Sequence, residues 1–210
     1  VGRMLNDSEE ITKAKAILVI GSNITETNPI AGLRVKEAIR VYKAQVIVAD
    51  SAVTNIGKLA SHPLLIKPGT EGLFIQALLK AALEEDVIDA EAVGKHPAAF
   101  AALKQALAGV SLEALAGATG VTSAQIREAA TLFAEAPRSV VMCGDGVVRR
   151  SGGYQQVLAL VDLLWITGKL GRPGCGLNTV VEEANEQGAV DMGVAPEFLP
   201  GQANYEDDQA

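Results

Sequence analysis

Short apolar runs, each closed by a small or glycine-bearing turn and followed by an amphipathic segment, recur along this chain. Residues 16–20 (AILVI) form the first and end in Gly21-Ser22-Asn23. From Pro29 onward, Leu33, Val35, Ala38, Ile39 and Tyr42 fall at helical spacing. Residues 45–49 (QVIVA) repeat the continuous apolar pattern and end in Asp50. Runs without polar alternation belong to strands covered on both faces, so this opening predicts a βαβ unit of parallel strands with a right-handed crossover.

A shorter run at 64–67 (LLIK) leads through Pro68-Gly69-Thr70-Glu71 into an Ala- and Leu-rich amphipathic helix over 73–84. The pattern is then helical from 88 to 136, with Pro97 opening one helix, Ser111-Leu112-Glu113 another, and Thr122 capping a third. Residues 139–143 (SVVMC) give a further strand that closes on Gly144-Asp145-Gly146, and a helix follows over about 154–169. Beyond Leu170, Gly and Pro recur every few residues without a sustained period, which predicts an extended loop tract lying on a neighbouring surface. The fold class is therefore α/β, a Rossmann-like parallel sheet flanked by helices. Its expected units are 11–136 with a helical insertion at about 88–136, a strand–helix unit at 137–170 in the same or an adjoining layer, and the loop tract at 171–210.

Composition narrows the function. With 210 residues, 49% of them apolar and 20% charged, the chain can bury one sizeable core or two small ones sharing an interface. A net charge of -7 without a basic stripe lacks the phosphate-neutralising term that nucleic-acid binding needs, so nucleic acid is not an expected partner. The longest apolar stretch, 157–168, is interrupted by Asp162 and falls short of the roughly 20 residues of a membrane span. The opening VGRMLNDSEE has neither the basic nor the apolar region of a secretory signal and reads as a flank left by excision or tagging. Cys143 and Cys175 lie far apart without CxxC spacing, which points to reduced cysteines rather than to a disulfide framework or a metal site.

Three strand ends carry turns of the kind that bring backbone N–H groups to a phosphate or nucleotide: Gly21-Ser22-Asn23, Pro68-Gly69-Thr70-Glu71 and Gly144-Asp145-Gly146. None is a GxGxxG fingerprint, and a tight turn alone accounts for each as well. Asp50 stands where an acidic side chain can accept both hydroxyls of a ribose, and equally where a solvated strand-end carboxylate would stand. Glu71 suits a helix start, and its carboxylate could also face the N1 and N2 donors of guanine. His62 and His96 each precede a proline in a turn-like context with no second ligand at metal spacing. No serine sits in a nucleophile elbow, and Met142 and Trp165 fall on apolar faces as core residues.

Taken in order, AILVIGSNITETNPI, QVIVADS, LLIKPGTEGLFIQALL, SVVMCGDGVV and LLWITGKLGRPGCGLNTVVEEANEQGAVDMG resemble the molybdopterin oxidoreductase family over about residues 14–201. That family includes formate dehydrogenases, nitrate reductases and the large peripheral subunit of bacterial respiratory NADH:quinone oxidoreductase. The resemblance implies the family's middle α/β domain, with Gly21, Asn23, Asp50 and Glu71 at the guanosine end of a pterin guanine dinucleotide. It places Gly144 and Gly146 along a second dinucleotide or the metal cavity. Three positions depart from the pattern. Asp50 continues into Ser51-Ala52 where many relatives have Pro-Arg, and Glu71 replaces a common Asp. Val181 falls where formate dehydrogenases carry an Arg at the molybdenum site, and an apolar side chain there cannot orient an anionic substrate.

The wording of 182–193 (EEANEQGAVDMG) with the following Pro196 and Leu199-Pro200-Gly201 resembles the large peripheral subunit of the respiratory complex most. The leading expectation is thus a scaffold domain of a respiratory NADH:quinone oxidoreductase large subunit, inert as an isolated chain. It would hold no cofactor or metal itself, have no catalytic residue, and depend on iron-sulfur clusters bound upstream. Its partners would be the cluster-bearing remainder and other hydrophilic-arm subunits, in the cytoplasm and without direct membrane contact. Two other expectations stand beside it: half of a molybdenum-bis(pterin guanine dinucleotide) site of a formate dehydrogenase-like oxidoreductase, and a stand-alone guanine-nucleotide-binding module.

Overall fold

A computed structural model describes residues 7–194, 198–199 and 203–204. The chain begins with a short helix α1 (Ser8–Thr12), capped by the Asp7 side chain, and enters strand β1 (Ala16–Ile20). Helices α2 (Ile24–Thr27) and α3 (Pro29–Arg40) carry it to β2 (Gln45–Asp50), and a short loop to β3 (His62–Leu65). Five helices follow: α4 (Glu71–Glu84), α5 (Ala90–Gly94), α6 (Pro97–Ala108), α7 (Leu112–Thr119) and α8 (Ser123–Glu135). Strand β4 (Ser139–Gly144), helices α9 (Asp145–Val148) and α10 (Gly153–Ile166), strand β5 (Gly176–Val180) and α11 (Glu186–Asp191) complete the body. Phe198–Leu199 and Ala203–Asn204 pair as a small antiparallel ribbon.

The five strands form one parallel sheet in the order β3-β2-β1-β4-β5. Because β1 lies between β2 and β4, connections leaving it and those arriving at β4 run on opposite faces. Alternation along each strand feeds two cores. Leu18, Ile20, Ile47, Ala49, Val141 and Cys143 face α4, α8 and α10, where Phe74, Phe133 and Leu163 are fully buried. Ile17, Val19, Val46, Val48, Val140 and Met142 face α1 and α3. The parallel sheet flanked by helices that the apolar runs predict is the fold observed, and its strand order makes it doubly wound.

Local differences from the pattern have physical causes. β3 starts at His62 rather than Leu64, and Pro63 lies inside it; an edge strand tolerates the missing N–H that would break a central one. His62 is therefore a strand residue, with Nε2 at 3.0 Å from Glu128 Oε1. Leu33 is 58% exposed, because the buried stripe of α3 runs through Ala31, Val35 and Ala38, on another side of the helix. The tract expected to be loop beyond Leu170 contains β5, whose Asn178 and Thr179 interrupt the apolar run yet are buried, so composition concealed a covered strand. The helical stretch is only partly an insertion, since α8 packs on the sheet through Ile126, Ala129, Ala130 and Phe133. Pro196 and the 200–201 part of the quoted motif lie outside the described residues.

Cys143 and Cys175 are both buried, and neither forms a disulfide among the described residues. Burial pushes the Cys143 thiol up to about 12, with the negative charge of Asp145 adding to the effect. In the unfolded chain the same thiol ionises at about 8.5, so its contribution is complete below that pH and is lost as pH rises toward the folded value. We expect the stability gap between the wild type and Cys143→Ala to close by on the order of 1.4 kcal/mol per pH unit from about pH 8.5 upward. Urea denaturation of both proteins across this range measures it; a constant gap would contradict the assignment.

Candidate functional site

Ligands of open α/β sheets bind beyond the carboxyl ends of the strands, where the winding reverses. Here that place is the junction of β1 with β4. Gly21 leaves β1 with φ +58°, a left-handed turn that a side chain would strain, and its N–H still donates to Ala49 O of β2 at 3.2 Å. Gly146 N donates to Gly21 O at 3.0 Å, so the turns after β1 and β4 touch backbone to backbone. A methyl group at Gly146 would fall 2.9 Å from Gly21 Cα, and one at Gly144 would fall 2.5 Å from Gly21 O. These glycines are required first for close packing of the two turns.

The structure thus brings Gly21, Gly144 and Gly146 into direct contact. Asp50 ends β2 beside them: its Oδ1 accepts from Ala52 N at 3.0 Å, while Oδ2 makes no hydrogen bond among the described residues. A small, mostly apolar cleft opens next to it, lined by Val48, Ala52, Val53, Thr54, Pro63 and Leu65 among others. Asn23 lies two residues beyond Gly21, at the start of α2; its side chain gives no capping bond and its Oδ1 accepts from Thr25 Oγ1 at 3.4 Å.

Glu71 joins from the face of the sheet that carries α4 and makes no hydrogen bond to the other five. It is 5% exposed, and its carboxylate makes no hydrogen bond or ion pair among the described residues. The Thr70 hydroxyl donates to Lys67 O at 2.6 Å and leaves the first N–H groups of α4 without a side-chain cap. Next to Glu71, a methyl at Gly72 would meet Gln156 of α10 at 3.0 Å, and Gln156 Oε1 is buried without a partner.

Several participants carry little or no signal in the sequence. Ser22, inside the turn already singled out, is 6% exposed and its hydroxyl has no hydrogen-bond partner. Asp145, the middle residue of the second turn, binds Arg149 Nε through Oδ1 at 2.7 Å and the backbone N–H of Glu182 through Oδ2 at 2.9 Å. Asn28 Nδ2 donates to Val181 O at 2.9 Å. The chain leaving β5 is therefore held from both sides of the junction. Val181 itself is 9% exposed and brings no charge. Only the turn positions of Ser22 and Asp145 were legible beforehand; the contacts of Asp145 with Glu182 and of Asn28 with Val181 join residues distant in sequence.

Comparison with known proteins is consistent with this geometry. The family model described as molybdopterin oxidoreductase matches residues 2–205. A formate dehydrogenase subunit alpha of Methanocaldococcus jannaschii is 34% identical over 206 residues, which cover 98% of this chain and 30% of that protein. Formate dehydrogenase H of Escherichia coli is 31% identical over 200 residues, covering 95% and 28%. NADPH-Fe(3+) oxidoreductase subunit alpha of Geobacter sulfurreducens is 36% identical over 193 residues, covering 92% and 23%. Among solved structures, acetylene hydratase from Pelobacter acetylenicus superposes with a TM-score of 0.69 over 78% of this chain and 24% of that one, at 20% identity; this likeness concerns the fold. The chain spans less than a third of the length of these relatives. They support the formate dehydrogenase-like expectation above the respiratory NADH:quinone one, whose identification they do not show.

The packing role of the glycines is testable by contrast. Gly144→Ala is expected to cost about 1–3 kcal/mol, because Ser22 and Gly21 must move. Gly117→Ala, in α7 with open space around the added methyl, is expected to gain about 0.5–1 kcal/mol. Thermal or urea unfolding of the two variants reads both signs.

Proposed function

Because this chain belongs to the molybdopterin oxidoreductase family, we propose that it is the nucleotide-cradling α/β part of a formate dehydrogenase-like oxidoreductase subunit. The turns after β1, β2 and β4 and the start of α4 would receive the guanosine and phosphate portions of a pterin guanine dinucleotide. What carries this reading is a set of polar groups near the carboxyl ends of the strands that lack protein partners: the Ser22 hydroxyl and the Gln156 carbonyl oxygen, both buried atoms without a hydrogen bond, and the carboxylate of the buried residue Glu71, which makes none among the described residues. Leaving such groups unpaired is costly unless a ligand or water meets them, so the residues fit the group.

When bound, the pterin and its molybdenum supply two-electron redox chemistry. The chain's own residues bind and orient. Gly21 and Asn23 bring backbone close to the dinucleotide, Asp50 offers its second oxygen to ribose hydroxyls, and Glu71 accepts from guanine N–H donors. Gly144 and Gly146 hold the second turn low enough for the ligand to pass over it. No three His, Cys, Asp or Glu residues converge in a metal-holding arrangement among the described residues, and the Cys143 thiol stays protonated, so the metal would be held by the cofactor and by the rest of the parent. Iron-sulfur clusters and the partners that pass electrons likewise belong to that remainder. No single described helix is long and apolar enough to cross a membrane.

The full-length parent should contain molybdenum and release GMP on acid hydrolysis in matched, stoichiometric amounts, measured by elemental analysis and chromatography. A parent with neither would sink the reading and restore the scaffold expectation. Val181 gives a second prediction about the substrate. Since it puts no cation beside an oxyanion, a Val181→Arg parent should oxidise formate about 10²-fold faster in kcat/KM than the wild type. Steady-state kinetics decide it, and equal rates would show that this position does not control formate use.

A further inference from the structure

The segment leaving β5 crosses the β1/β4 junction, and one cation pairs with two of its carboxylates. Arg149, the C-cap residue just past α9, reaches Asp145 Oδ1 through Nε at 2.7 Å. Its Nη2 reaches both the carboxylate of Glu183 and Glu186 Oε1, the latter at 3.2 Å. Asp145 in turn accepts the N–H of Glu182 at 2.9 Å. A single planar guanidinium therefore faces three carboxylates, two of them on the crossing segment and one on the turn beneath it.

We propose that Arg149 is the positioning residue that holds residues 183–191 down across the junction, by neutralising three carboxylates that would otherwise push the segment away. Two ties do not depend on it: Asp145 to the Glu182 N–H, and Asn28 to Val181 O. Removing the guanidinium should consequently free the segment only beyond Glu182, leaving β5 and its pairing with β4 in place. Lysine cannot replace it, because a point charge on a flexible stem does not present N–H donors to three carboxylates in fixed directions.

Hydrogen–deuterium exchange on the full chain tests this. In Arg149→Gln, amides within 183–191 should lose protection while those of β4 and β5 keep theirs, and Arg149→Lys should behave nearly alike. In the triple variant Arg149→Gln, Glu183→Gln, Glu186→Gln, protection of 183–191 should return, since the mutual repulsion is gone. Unchanged exchange in Arg149→Gln, a loss spread equally over β4 and β5, or a triple variant as open as the single one would each overturn the proposal. Only what the segment covers rests on the cradle reading: a parent without molybdenum and GMP would remove that reading and leave the exchange result standing.

Discussion

Two loops that follow neighbouring strands can rest backbone on backbone only where side chains are missing, and the working edge of this sheet depends on one such contact. Gly21 and Gly146 share a hydrogen bond of 3.0 Å, and neither they nor Gly144 has room for a methyl group. The contact draws the ends of β1 and β4 together at the reversal of the winding. Ser22 is thereby buried, and Asp145 is placed directly under the chain that leaves β5. A larger residue at any of the three would raise one loop off the other and displace everything hung from them.

Chemistry along that edge is divided between shape and charge. Glycines and bare backbone make a low surface, while the polar groups left open on it are acceptors or amphoteric: a hydroxyl, an amide oxygen and two carboxylates, Asp50 and Glu71. Such a set suits the hydroxyls and N–H groups of a nucleoside. A nearby cation, Arg149, has its guanidinium pKa raised by its bond to Asp145 and by the surrounding acids, and is occupied with them. In the proposed reading this chain recognises and places a cofactor, and reactivity comes from what it places.

The layered fold was legible because fully covered parallel strands write themselves as uninterrupted apolar runs, as in residues 16–20, 45–49 and 139–143. β5 was not, because Gly176, Asn178 and Thr179 are polar or small and find their burial only once β4 is beside them. β3 was displaced by two residues, since a proline argues against a strand unless the strand is known to lie at an edge. Of the candidate site, the glycines and Asp50 were visible as strand-end turns. What the turns do to each other was not, because register sets it: Ile20 stands opposite both Ala49 and Cys143, which puts Gly21 level with Asp50 and Gly144. The pairing of Arg149 with Glu183 and Glu186 was invisible for the same reason, since more than thirty residues separate them and the parallel pairing of β4 with β5 brings them together.

Strand β3 has one further effect on the molecule. It is four residues long, carries Pro63 in its ladder, and forms the outer margin of the sheet, with Leu65 largely exposed. A margin that short, lacking an N–H where the next rung would need one, is a poor template for an added strand. Anything that packs against this side meets side chains more readily than a backbone ladder. Crowded copies of the chain are also discouraged from stacking edge to edge into a common sheet.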